Sequence, residues 1–256
     1  MRAHKPTLLI LGGTGEAVRL AQAVEADFGA NLRVISSLAG RTATPADIQG
    51  EVRVGGFGGV QGLASYLRDI AANYLIDASH PFAAEITKHA CLAAAATATP
   101  RLALLRQPWQ AKEGDRWHEA ADMAAAAEMV PALGRRVFLS VGTRALKHFA
   151  ELRDTWFLVR LIDAPAEALP LAQAELILGR GPFDTASEQQ LLEQHRIDLL
   201  VTRASGGAAT KGKIDAARAL GLPVIMLRRP APPPGDSAET IDAALDWLRS
   251  IYTKER

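Results

Sequence analysis

With 256 residues, 48% of them hydrophobic and 22% charged, the chain has enough material for a sizeable core and for two domains, and its composition is neither disordered nor fibrous. The 29 basic and 28 acidic residues leave a formal charge of +1, which excludes the broad positive field of a nucleic-acid-binding protein. A lone cysteine, Cys91, excludes an intrachain disulfide, and no apolar stretch approaches the roughly 20 residues of a membrane span.

The basic start MRAHK leads into an apolar run too short for a signal peptide, so a cytoplasmic protein with no membrane partner is expected. That run, TLLIL (7–11), ends in Gly12-Gly13 and is the pattern of a buried parallel strand. A helix is expected from Glu16 to Phe28, then strands at 32–36 and 51–57 and a helix from Gly62 to Ala71. A strand at 74–79, a helix from Phe82 to Ala98 with Cys91 as a small buried hydrophobe, and a strand at 101–105 complete a first set. A second set has strands at 136–142, 156–162, 175–179, 198–202 and 223–227, with helices near 185–195, 213–220 and 237–251. APPPG (231–235) reads as a stiff connection to the last helix and not as a domain linker. Strand–helix alternation of this kind implies parallel sheets covered by helices. The expected fold is α/β, two Rossmann-like parallel-sheet domains facing a central cleft, with domains at 1–130 and 131–256.

Several loops carry chemistry. LGGTGE (11–16) stands where the first strand becomes a helix. Gly12, Gly13 and Gly15 let backbone approach a pyrophosphate, Thr14 offers a hydroxyl, and Glu16 opens the helix. Val18 occupies the place of the third glycine in G-x-G-x-x-G, so a plain tight turn is the competing reading. After the second strand, where NAD sites carry an acid, stand Ser36, Ser37 and then Arg41. Hydroxyls and a guanidinium suit a 2′-phosphate, which favours NADPH; a solvated loop is the alternative. GGFGGVQG (55–62) either lets a flat ligand approach backbone or is a flexible turn. DASHPFA (77–83) puts Ser79, His80, Pro81 and Phe82 at a strand end. They are expected to line the nicotinamide pocket, with His80 a weak candidate acid and Ser79 a helix cap before Pro81. Arg144 in SVGTR opens a second anion site in outline. Ser205, Gly206, Gly207, Lys211 and Lys213 in VTRASGGAATKGK form a third, suited to carboxylates; exposed lysines on a loop are the bland alternative. Arg106, Trp109 and Arg160 are further candidates to face the cleft, with no spacing argument to place them. The Walker pattern, Y-x-x-x-K, H-E-x-x-H, C-x-x-C and G-x-S-x-G are all missing, and no metal site is expected.

The ordered set LGGTGE, AGRT (39–42), GGFGG, DASHPFA, SVGTR, RGPF (180–183) and VTRASGG with KIDAA resembles the precorrin-6A reductases, including the cobalt-precorrin-6A reductases. The likeness runs from Leu8 to about Pro230, with Ser79 where threonine is expected and Arg203 where lysine is common. The resemblance implies hydride transfer from NADPH to a conjugated double bond of a polycarboxylate tetrapyrrole, giving precorrin-6B in cobalamin biosynthesis. It assigns the glycine turn, Ser36, Ser37, Arg41 and the 79–82 loop to the cofactor. It assigns Arg144, Ser205, Gly206, Gly207, Lys211 and Lys213 to the substrate. A reductase of a smaller substrate and a non-enzymatic NADPH sensor are the competing functions.

Overall fold

The computed structural model describes residues 5–40 and 50–252; Arg41 and Thr42 of the AGRT motif lie outside them. The first elements are β1 (Thr7–Leu11), α1 (Gly15–Phe28), β2 (Arg33–Leu38), β3 (Glu51–Val54), α2 (Val60–Asp69), β4 (Ala72–Asp77), α3 (Ala84–Thr97) and β5 (Arg101–Leu104). There follow β6 (Arg116–Ala120), α4 (Met123–Leu133), β7 (Arg136–Ser140), β8 (Trp156–Leu161), β9 (Ala174–Leu178) and α5 (Thr185–Gln194). β10 (Leu199–Arg203), α6 (Gly212–Ala219), β11 (Pro223–Leu227), β12 (Asp236–Ala238) and α7 (Ile241–Tyr252) close the chain. No helix among the described residues is long and apolar enough to cross a membrane.

The chain divides into two compact units. One runs to Gln107 and resumes at Pro230; the other spans Pro108–Arg229. The first holds a six-stranded sheet in the order β12-β5-β4-β1-β2-β3. The second holds another, in the order β6-β11-β10-β7-β8-β9. Every pairing in both sheets is parallel. β1–β5 of the first unit and β7–β11 of the second thus each follow the doubly wound order 3-2-1-4-5.

The sixth strands are exchanged along the chain. β6 follows the first five strands yet pairs with β11, and β12 follows the second five yet pairs with β5. The boundary expected between 130 and 131 is therefore corrected: β6 and α4 belong to the second unit, and the stretch from Pro230 returns to the first. The proline-rich run at 231–235, expected to be no domain linker, lies just after that passage.

β1 shows why the first sheet is covered on both faces. Leu8 and Ile10 enter one core cluster with α1 and α7. Leu9 and Leu11 enter the other, with α2 and α3. Each such side chain contributes about 1.5–3 kcal/mol relative to exposure. α1 presents Ala17, Leu20, Ala21, Val24 and Phe28 to the core, the apolar stripe of an amphipathic helix. In the second unit α5 and α6 cover one face, with Phe138, Leu158, Leu192, Leu200 and Ile214 in the core. Arg160 and Glu188 join β8 to α5 in a two-pronged pair at 2.9 and 2.6 Å, and Glu188 is buried. Cys91, expected to be buried, is half-buried in α3.

Candidate functional site

In a parallel sheet all strand carboxyl ends share one edge, and the loops there bind ligands. At that edge of the first unit, β1 gives way to Gly12, Gly13 and Thr14 before α1 begins at Gly15. Gly13 has φ of +101°, a conformation that favours glycine, and a Cβ there would meet nothing within 4 Å. The turn therefore presents bare backbone to open space. The first N–H groups of an α-helix have no acceptor within it, and a helix start of this kind favours an anion.

Thr14 is used otherwise than expected. Its Oγ1 donates to the Ala78 carbonyl at 2.8 Å and accepts from Ala17 N at 3.1 Å. The hydroxyl proton is thus spent on tying β4 to the glycine turn, and what it offers an anion is not a donor. Thr14→Ala is expected to lower stability by about 1–2 kcal/mol, the usual loss of a helix cap. Thr14→Ser should stay within about 0.5 kcal/mol of wild type in the same thermal unfolding measurement, because it keeps both bonds.

Glu16 places a carboxylate at a helix start that attracts anions. Arg106, just past β5, binds it at 2.5 Å, and Arg19 binds it at 3.2 Å. Thr14, Glu16, Ser79, Pro81 and Arg106 line one recess, so the structure brings together the β1 and β4 motifs expected to share a ligand. Sequence reasoning offered Arg106 only as a candidate to face the cleft, with no partner. Its partner stands 90 positions earlier, and no local pattern announces the pair.

The 79–82 loop is corrected in detail. α3 starts at Ala84, and Ala83, with no side-chain cap bond, stands at its N-cap. Ser79 therefore does not cap it, and Pro81 is not its first residue. Ser79 N donates to Asp77 Oδ1 at 3.0 Å. Phe82 N donates to His80 Nδ1 at 3.2 Å, so the neutral ring carries its proton on Nε2. Protonating Nδ1 would break that bond, which weakens His80 as an acid and leaves it as an Nε2–H donor.

β2 runs to Leu38, two residues beyond the expected end. Ser36, at the end of the expected strand, and Ser37, expected beyond it, both lie inside β2, 2% and 5% exposed. Ser36 Oγ has no hydrogen-bond partner among the described residues and is sealed from solvent. Ser37 Oγ accepts from Arg53 at 3.4 Å.

In the second unit the expected substrate residues gather at the corresponding edge. Arg144 is exposed in the 3₁₀ turn Thr143–Phe149 after β7. The guanidinium of Arg203, at the end of β10, stands 4.0 Å from where a Cβ of Gly142 would lie. Gly206 and Gly207 turn the chain with φ of +65° and +86°. Ser205 is buried, and its carbonyl accepts from Arg229 at 2.9 Å. Lys211 is bound to Asp215, which also accepts from Arg218 at 2.7 Å. Burial opposes the Asp215 charge, but the hydrogen bonds from Lys211 and Arg218 outweigh it and hold the carboxyl below its usual range. The Lys211 charge is thus already opposed by Asp215. Lys213 is 4% exposed, not a loop lysine in solvent. Its Nζ donates to the Thr210 carbonyl at 2.8 Å and lies 5.3 Å from the Trp109 ring centre. Trp109 Nε1 donates to the Gly207 carbonyl at 3.2 Å, so both residues brace the 205–211 loop from beneath.

The precorrin-6x reductase family (CbiJ/CobK) matches this chain over residues 7–249. The chain is 48% identical over 247 residues to the precorrin-6A reductase of Rhodococcus erythropolis, covering 95% of this chain and 98% of that one. It is 30% identical over 235 residues to the cobalt-precorrin-6A reductase of Priestia megaterium, covering 87% and 90%. A solved structure of CobK precorrin-6A reductase superposes with a TM-score of 0.90 at 42% identity, covering 96% of each chain. With its two doubly wound sheets and its glycine turn at the first strand end, the chain belongs to the precorrin-6x reductase family and is an oxidoreductase.

Proposed function

We propose that this protein reduces the precorrin-6A macrocycle with NADPH, in the cytoplasm, as a step of cobalamin biosynthesis. The observation that carries the reading is the near full-length likeness to precorrin-6A reductases. The higher identity to those proteins than to the cobalt-precorrin-6A reductases supports a metal-free ring as substrate.

The residues fit a dinucleotide. The bare turn at Gly12 and Gly13 and the start of α1 receive the pyrophosphate, and Arg106 and Arg19 keep Glu16 from repelling it. The Ser79–Phe82 loop and its His80 Nε2–H line the nicotinamide end. Arg41 supplies a guanidinium for the 2′-phosphate. When bound, NADPH supplies the hydride. The protein orients the acceptor and excludes water, and the macrocycle's own protonated nitrogen makes its carbon electrophilic, so no protein acid is required. Arg144 and the 205–207 loop hold carboxylates of the ring. Lys211 and Lys213 serve that loop as supports.

Following NADPH oxidation optically with purified protein and precorrin-6A, with NADH and the cobalt-containing substrate in parallel, tests the reading. NADPH-dependent loss of the precorrin-6A spectrum is expected. Tight NADPH binding with no turnover of either macrocycle would overturn it. Arg41→Ala is expected to raise the KM for NADPH about 10- to 100-fold, the range of a lost charged hydrogen bond, and that for NADH less than about threefold. Equal losses would remove Arg41 from the 2′-phosphate.

A further inference from the structure

We infer that Arg53 is a specificity-determining residue that reads the phosphate distinguishing NADPH from NADH; this rests on the NADPH reading above. β2 and β3 pair with Ser37 opposite Arg53. The arginine therefore stands at the carboxyl end of the strands where a doubly wound sheet reads the adenosine ribose of a dinucleotide.

The guanidinium is fixed before any ligand arrives. Nη1 donates to the Gly55 carbonyl at 2.5 Å, and Nη2 to the Gly56 carbonyl at 2.8 Å. Cζ lies 3.9 Å from the centre of the Phe57 ring and 4.9 Å from that of Tyr66. All these contacts, and the one to Ser37, are to neutral groups. Among the described residues no ion pair includes Arg53. The contrast lies on the same two strands: at their amino ends Arg33 is neutralised by Glu51 through two bonds of 2.7 Å.

The approach is also clear. A Cβ at Gly55, Gly56, Gly58 or Gly59 would meet nothing within 4 Å. A held cation with no carboxylate partner among the described residues, N–H donors to spare and an open glycine loop beside it is preorganised for a compact oxyanion. A ribose 2′-phosphate has that chemistry, and a plain 2′-hydroxyl does not.

The test is calorimetric binding of adenosine 2′,5′-bisphosphate and of 5′-AMP to the whole protein. Wild type is expected to favour the bisphosphate. Arg53→Ala should weaken it about 10- to 100-fold while changing 5′-AMP less than about threefold. Arg53→Lys, which keeps the charge and loses the fork, should fall between the two and serves if the alanine variant unfolds. Equal weakening of both ligands, or no change in either, overturns the assignment and leaves the NADPH reading standing. A wild type that binds the two ligands equally overturns the NADPH reading and this inference with it.

Discussion

Gly62→Ala should destabilise the first unit by about 3 kcal/mol or more, at the upper end of the cost of overpacking. A Cβ at Gly62 would stand 1.7 Å from the Phe57 carbonyl oxygen and 2.8 Å from its carbon. Both are backbone atoms, so no side-chain rotation relieves the clash. The loop before α2 cannot yield cheaply either. Gly55, Gly58 and Gly59 hold φ of +126°, +75° and +94°, and the Gly59 carbonyl accepts from Leu63 N at 3.1 Å. Moving Phe57 would also pull its ring from Arg53 and from Tyr66, whose centre is 5.4 Å away. The variant should unfold roughly 6–12 °C below wild type, taking about 2–4 °C per kcal/mol for a chain of this size. It should lose affinity for adenosine 2′,5′-bisphosphate as well. Gly56→Ala is the control: its Cβ meets nothing within 4 Å, and its φ is not positive, so it should melt with wild type. A Gly62→Ala protein that melts with wild type would mean the Phe57 carbonyl is not seated against α2.

The sheets were legible where burial is strongest. TLLIL carries apolar side chains on both faces, a pattern that only a covered strand satisfies. Two of the four edge strands, β6 and β12, escaped for the same reason. β6, RWHEA, buries only its last residue well, and β12 has three residues, so neither leaves an apolar run. The exchange of sixth strands was hidden because alternation reports the order of elements along the chain and not which sheet closes over them.

The site was legible as motifs and less so as partners. The glycine turn and the 79–82 loop do meet at one recess. Ser37 misled because small hydroxyls signal a loop by propensity, whereas here pairing on both sides carries β2 through it. Arg53 gave no signal at all: an arginine in a strand is ordinary, and what sets it apart is that it has no carboxylate partner among the described residues. Arg41 belongs to residues outside those described, so its role stands on sequence alone.

Lys213 is held differently from what its sequence context suggests, and its replacement has the second large expected effect. Sequence places it on a basic loop, free to grip a substrate carboxylate. At 4% exposure it cannot do that directly. Its ammonium holds the Thr210 carbonyl beside Trp109, which holds the Gly207 carbonyl. Lys213→Met keeps most of the stem and drops the ammonium, leaving a carbonyl short of a donor at about 1–3 kcal/mol. Lys213→Ala also removes the stem from a closed site, and about 2–4 kcal/mol is expected. Both variants should raise the KM for the macrocycle, because the 205–207 backbone loses its brace, and neither should change NADPH affinity, since the residues proposed for the cofactor belong to the first unit. Thermal unfolding and steady-state kinetics together separate the possibilities. A loop brace predicts that KM rises in step with lost stability, alanine beyond methionine. A direct substrate contact predicts the same KM rise for both variants whatever their stability, and that outcome would return Lys213 to the substrate.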